Sequence, residues 1–98
     1  MGVQRDGAFC EYISMPVERI YPGMGLTAQE LALIEPFSIS RHAISRAAIR
    51  PTDSVLIVGA GPIGLFALLA AKQFAGKIAV ADVLNNRLNL AMSYGADG

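Results

Sequence analysis

The sequence predicts an α/β fold: a partial βαβα unit of a doubly wound parallel sheet, preceded by a remnant of a separate β domain. Two short apolar runs rich in β-branched residues, 54–58 and 78–82, have the composition of strands buried on both faces. A glycine-rich turn and an apolar helical stretch separate them, as a parallel crossover requires. Extended segments too few to build a sheet lie near the start of the chain.

The composition limits the classes of protein to which the chain can belong. Of its 98 residues, 53% are hydrophobic and 16% charged, a balance typical of a segment of a larger α/β protein. Eight basic and eight acidic residues give a net charge of zero, with no basic stripe for nucleic acid. The longest apolar run, 63–71, is shorter than the ~20 residues of a membrane span. One cysteine excludes an internal disulfide, and we expect a cytoplasmic protein.

The predicted β remnant comprises residues 1–25. Ala8–Met15 is rich in strand-forming residues and ends at Pro16. Val17–Tyr21 is predicted to be a second short extended piece. Two such strands are not stable alone, so we expect them to belong to a sheet whose other strands lie outside this sequence.

The next stretch, residues 26–50, is predicted to contain two connecting helices. Thr27 and Glu30 have the spacing of a capping box, in which each side chain satisfies the other residue's backbone amide. The first helix is predicted to end before Pro36, since proline disfavours a helical residue ahead of it and lacks an N–H. The second is predicted over residues 38–49.

A glycine-rich turn, Gly59-Ala60-Gly61-Pro62-Ile63-Gly64, follows the first buried strand. Gly59 permits a tight turn, Gly61 lets a pyrophosphate approach the backbone, and Gly64 lets the helix pack closely on the strand. Pro62 is suited to the first helical position, in a helix predicted to reach Ala75. The positive end of that helix would face phosphates. The alternative is a purely structural turn, because glycine-rich turns are common.

Asp82 ends the second predicted strand, 18 residues after Gly64 and close to the ~20 expected for an acid that binds the adenosine ribose. A carboxylate there accepts hydrogen bonds from both ribose hydroxyls and repels a 2′-phosphate, which favours NAD over NADP. Alternatively, Asp82 is an acid near the start of the next helix, predicted over 85–94 and ended by Gly95. Arg87 lies either along the adenine edge or against a phosphate. The residues after Gly95 lead towards a third strand.

Four segments of the chain, in this order and spacing, resemble zinc-dependent medium-chain alcohol and polyol dehydrogenases. The likeness is to the branch of sorbitol, threonine and sugar-acid (galactonate-type) dehydrogenases. The segments are residues 6–12, 32–39 with 42–43 after them, 55–65 and 79–82. The combination covers nearly the whole chain and is far more specific than a single glycine motif.

The resemblance implies a fold and a set of site residues. Residues 1–25 would end a GroES-like catalytic domain, 26–50 would connect, and 51–98 would form the N-terminal half of a Rossmann NAD-binding domain. No catalytic residue is assigned to this chain. The implied positions are Gly59, Gly61, Pro62, Ile63 and Gly64 for the pyrophosphate, Asp82 and Arg87 for the adenosine, and Glu35 for the catalytic zinc, bound directly or through water.

The roles of Glu35, His42 and Cys10 are considered separately. Taken alone, Glu35 is more often a solvated residue at a helix end, although its apolar neighbours favour a buried, paired role, and the resemblance favours a metal site. His42 is given no chemistry, because lone histidines at helical spacing are usually packed or at the surface. Cys10 has no metal-spaced partner and is expected to pack as a small hydrophobe.

The chain is therefore predicted to be an internal fragment of an NAD(P)-linked dehydrogenase that oxidises a secondary alcohol by hydride transfer. The full-length enzyme would bind zinc and a small polyol or sugar acid, and we expect a homo-oligomer that contacts neither nucleic acid nor membrane. The family's zinc-binding cysteine and Gly-His-Glu segment are absent, so we expect the isolated chain to be inactive.

Two alternatives come from other classes of protein. One is a non-catalytic remnant that binds nucleotide or docks to another subunit. The other is a fragment of an FAD-binding oxidoreductase, whose first strand and glycine turn look alike. Flavoproteins usually place this unit at the N-terminus and end the second strand in Glu, whereas here 50 other residues precede it and the acid is Asp82.

Overall fold

The computed structural model describes residues 2–98, and it confirms the mixed α/β architecture. Strands β1 and β2 form a two-stranded parallel sheet in which Ser54 lies opposite Lys77 and Val58 opposite Ala81. A helix crosses between the strands, as the βαβα prediction requires. The elements are a 3₁₀ turn at Val17–Arg19, α1 at Ala28–Arg46, β1 at Ser54–Val58, α2 at Pro62–Ala71, β2 at Lys77–Ala81 and α3 at Asn85–Ser93.

The prediction of strands before residue 26 was wrong for this chain. Residues 2–26 contain no strand, and the segment predicted as extended after Pro16 begins with the 3₁₀ turn. A strand needs a partner for its backbone N–H and C=O groups, and none lies beside this segment in the described part of the chain. Phe9 and Tyr12 are accordingly fully exposed.

Helix α1 is one continuous helix, which corrects the prediction of two helices separated at Pro36. Its start is as predicted: the Glu30 amide donates to the Thr27 hydroxyl (3.3 Å) and the Thr27 amide to the Glu30 carboxylate (2.8 Å). The helix continues through Pro36 because its second half packs against α2. There Phe37 meets Phe66 edge to face, with 5.7 Å between ring centroids.

The core lies on one face of the sheet. Leu68 of α2 is fully buried against side chains that alternate along β1 and β2, among them Ile57 and Val80. The opposite face, with Leu56 64% and Val58 82% exposed, is bare. The prediction of strands buried on both faces was therefore wrong for the described chain, because its helices share one cluster on a single face of the sheet.

The chain after α3 runs beside the free edge of β2. The Asp97 amide donates to the Ile78 carbonyl and the Val80 amide to the Gly98 carbonyl, each at 2.7 Å. The Asp97 carboxylate also accepts from the Ile78 amide. This pairing agrees with the expectation that the last residues lead towards a third strand, next to β2 and away from β1.

No helix within residues 2–98 combines the length and the hydrophobicity that crossing a membrane would require. Ala70 and Ala71 of α2 are completely buried in the core.

We expect Gly64→Ala to destabilise the fold. A Cβ at Gly64 would overlap the Gly59 carbonyl oxygen, a backbone atom that cannot rotate away, so the start of α2 would have to move off the turn. The free energy of unfolding in urea should fall by about 1–3 kcal/mol.

Gly61→Ala is the matched control for this prediction. Gly61 has an ordinary φ of −74° and no atom within 4 Å of an added Cβ, so its fold should tolerate alanine. Equal losses in the two variants would contradict the close approach at Gly64.

Candidate functional site

The glycine turn presents free backbone amides at the carboxyl end of β1. Gly59 has a φ of +102°, a conformation that favours glycine, and its amide donates to the Ala81 carbonyl at 2.7 Å. Pro62 is the first residue of α2, and the first intrahelical bond runs from the Leu65 amide to the Gly61 carbonyl. By their position in the first turn, the amides of residues 63 and 64 therefore have no acceptor within the helix.

The carboxylate of Asp82 joins the end of β2 to the glycine turn. Its Oδ2 accepts from the Ala60 amide at 2.7 Å, and its Oδ1 accepts from the Leu84 amide at 2.9 Å. The side chain is 6% exposed. A carboxylate offers about four acceptor positions, so these two hydrogen bonds do not exhaust its capacity to accept others.

The charge of Asp82 is stabilised by these backbone donors. The hydrogen bond from Ala60 lowers the pKa of Asp82 most, followed by the one from Leu84; partial burial opposes them, and the nearby Arg87 charge lowers the pKa further. The Arg87 guanidinium lies 3.8 Å from Oδ2 and is 49% exposed. Asp82 is therefore ionised at neutral pH, with a cation beside it.

Two open clefts flank the turn at the carboxyl ends of the strands, the usual position of ligand sites in open α/β sheets. They share Val58 and Gly59, so one extended ligand can cross from one to the other. The first, of about 440 Å³, is lined by Val58, Gly59, Ala81, Asp82, Val83 and Arg87. The second, of about 430 Å³, is lined by Ile57, Val58, Gly59, Gly61, Pro62, Ile63, Gly64 and Ala67.

The structure brings together seven of the residues singled out from the sequence. The five from the glycine turn line the second cleft, while Asp82 and Arg87 line the first. Sequence reasoning missed Val83, which is 95% exposed and forms a wall of the first cleft. The sequence offered one signal for Val83: it is an apolar residue directly after the acid that ends the second strand. Beyond the end of a strand an apolar side chain has no core to pack into, so it is available to line a cleft.

Glu35 lines neither of the two clefts. Its side chain is exposed on α1, so the expectation that its apolar neighbours bury it was wrong. Those neighbours, Leu33 and Ile34, are themselves about half exposed. Within residues 2–98 no group of three His, Cys, Asp or Glu side chains is close enough to hold a metal ion. The described chain alone does not fit a zinc site, and a metal role for Glu35 stays a prediction.

The two residues given no chemistry are both at the surface. His42 is exposed on α1, which agrees with the prediction that it is packed or at the surface. Cys10 is also exposed, with its Sγ 3.1 Å from the Tyr12 carbonyl, which corrects the expectation that it packs as a small hydrophobe. The reason is the one that leaves Phe9 exposed: its segment has no sheet to pack against.

No protein-family model matches the chain. It is similar to the L-galactonate-5-dehydrogenase of Escherichia coli K12, with 55% identity over 84% of this chain and 24% of that enzyme. The chain thus spans about a quarter of the length of this relative.

The chain is also similar to dehydrogenases of known structure. A short chain alcohol dehydrogenase from E. coli CFT073, in complex with NADH, matches 99% of this chain and 30% of its own at 35% identity, with a TM-score of 0.86. The zinc-dependent alcohol dehydrogenase 2 of Streptococcus pneumonia in its apo form matches 78% of this chain and 22% of its own at 34% identity, with a TM-score of 0.64. These neighbours identify the βαβα unit as part of a Rossmann-type fold.

We expect Asp82→Asn to alter the acid sensitivity of the fold. Because the pKa of Asp82 in the folded state lies below its ordinary 3.8, its contribution to stability is present above that value and is lost as the pH falls through the folded pKa. The stability difference between wild type and Asp82→Asn, measured by thermal unfolding from about pH 6 to pH 3, should therefore shrink with acidification.

Asp53→Asn provides a matched comparison for that measurement. The Arg50 amide lowers the pKa of Asp53 as well, but Asp53 lines neither cleft. Both variants should change the pH profile, and only Asp82→Asn should affect ligand binding. A stability difference from wild type that stays constant with pH would contradict the assignment for Asp82.

Proposed function

Because the chain belongs to the zinc-dependent medium-chain dehydrogenase family, we propose that it binds NAD(H) for a dehydrogenase that oxidises a secondary alcohol. One observation carries the proposal: an ionised carboxylate bonded directly to the amide of a glycine turn, with a cleft on either side. An NADH-bound structural neighbour that overlaps almost the whole chain supports it.

In this proposal the pyrophosphate lies over the start of α2. The absence of a side chain at Gly61 leaves the approach open, and the amides of Ile63 and Gly64 donate to the phosphate oxygens. Pro62 holds the first turn without removing a donor that the helix could use. The positive end of the helix dipole adds to the attraction.

The adenosine half of the cofactor is assigned to the first cleft. The remaining acceptor capacity of Asp82 suits the 2′- and 3′-hydroxyls of the ribose. Val83 offers an apolar wall for the adenine, and the Arg87 guanidinium offers a planar cation beside it. The same carboxylate repels a 2′-phosphate, so the proposed cofactor is NAD rather than NADP.

The nicotinamide and the alcohol belong to parts of the enzyme beyond these clefts. Bound NAD would supply a hydride acceptor for the carbinol carbon, and the hydroxyl proton would pass to a base in another part of the enzyme. The similarity to a sugar-acid dehydrogenase favours a polyol or sugar acid as the substrate. We retain Glu35 as the proposed carboxylate beside a family zinc, and residues 1–25 as the proposed end of a GroES-like domain.

We expect Asp82→Ser to shift the cofactor preference from NAD towards NADP. The variant loses the ribose acceptor and the charge that repels a 2′-phosphate, and it frees Arg87 to pair with that phosphate. The ratio of NADH to NADPH affinity, from fluorescence titration, should fall roughly tenfold or more, as for a hydrogen bond to a charged group.

The control for this switch is the double variant Asp82→Ser/Arg87→Gln. Without the guanidinium, the gain in NADPH affinity should disappear while NADH binding stays weak. Wild-type chain that binds NADPH as tightly as NADH would contradict the role given to Asp82.

The 98-residue chain should bind NADH without catalysing oxidation. Its described residues provide no metal-binding cluster to activate an alcohol. With NAD, zinc and L-galactonate, the absorbance of NADH should not rise, although titration of the same sample detects NADH binding. Turnover above the rate without protein would overturn this expectation.

A further inference from the structure

A buried hydroxyl outside the βαβα unit reaches the phosphate-facing turn. Ser40 lies on α1 and is only 2% exposed. Its Oγ lies 2.9 Å from the Ile63 carbonyl and 3.5 Å from the Pro36 carbonyl. A hydroxyl has one proton, and the shorter distance assigns it to Ile63.

The Ile63 carbonyl belongs to the same peptide unit as the Gly64 amide. In a helix the C=O points towards the C-terminus and the N–H towards the N-terminus, so this N–H faces the glycine turn. A donor on the carbonyl restrains the peptide plane and polarises it, which strengthens the N–H as a donor. Ser40 can therefore act on the phosphate without touching it.

We propose that Ser40 is a positioning residue for the cofactor: its hydrogen bond to Ile63 aims and strengthens the Gly64 amide that receives the pyrophosphate. The proposal rests on the NAD(H) site proposed above. It also gives α1, the helix that carries Glu35, a polar connection to the phosphate turn in addition to its apolar packing against α2.

Ser40→Ala is a mild change for the fold. Alanine is the best helix former and is close to serine in size. The Ile63 carbonyl keeps its acceptor role within α2, so no buried group is left without a partner. The variant should fold, and its effect on ligand binding can be measured directly.

The test compares ligands with and without a pyrophosphate, each titrated into the 98-residue chain. ADP and NADH contain the group, and adenosine lacks it. In Ser40→Ala we expect affinity for ADP and NADH to fall about twofold to fourfold, since polarisation is worth roughly 10–30% of a charge-assisted hydrogen bond, and affinity for adenosine to stay unchanged. Ser40→Cys, which replaces the hydroxyl with a weaker donor of similar size, should give an intermediate loss.

Phe37→Leu is the matched control. Phe37 lies three residues before Ser40 on α1. Its ring contacts Phe66 of α2 and makes no hydrogen bond to the turn. It should lower the melting temperature while leaving the ratio of ADP to adenosine affinity unchanged.

Three results would overturn the role of Ser40. The first is a Ser40→Ala variant that binds ADP as wild type does, the second is equal weakening of ADP and adenosine, and the third is a Phe37→Leu variant with the same ligand selectivity as Ser40→Ala. In each of these, wild-type binding of ADP and NADH would leave the NAD(H) site standing. Wild type that binds neither ligand would overturn both proposals.

Discussion

The 2.7 Å hydrogen bond between the Ala60 amide and the Asp82 carboxylate connects the two structural parts of the candidate site. One end belongs to the turn after β1 and the other to the residue after β2, 22 positions later in the chain. Because the strands are parallel, both points lie at the same edge of the sheet. The bond holds the turn against the adjacent strand and lowers the pKa of the carboxylate, so the same contact affects both the shape and the charge of the site.

Close backbone packing sets the remaining geometry. Gly64 approaches the Gly59 carbonyl so nearly that no side chain fits, which brings the start of α2 directly over the end of β1. The buried face of α2 then fills the space above the sheet with Leu68 and two alanines. Helix α1 covers α2 in turn. The amides at the start of α2 are thus supported by the core on one side and by Ser40 on the other.

Much of the fold could be predicted from the sequence, and the predictions that were wrong have a common cause. The two strands, the glycine turn and the capping box at Thr27 depend on local patterns, and all appear where predicted to within a residue. The break predicted at Pro36, the strands before residue 26 and the burial of Glu35 were wrong. In each, the outcome depends on whether a distant surface is present: α2 supports the helix across Pro36, whereas no sheet accompanies the first residues.

The sequence by itself determined the βαβ unit and the placing of an acid after its second strand, because hydrophobic periodicity and glycine stereochemistry act over a few residues. Only the tertiary structure decided which groups that acid binds, which face of the sheet is covered and that Ser40 reaches the Ile63 carbonyl. These contacts join residues 22 and 23 positions apart, and they exist because helix and strand pack in one particular register. No local pattern specifies that register, so the site's polar connections emerge only on folding.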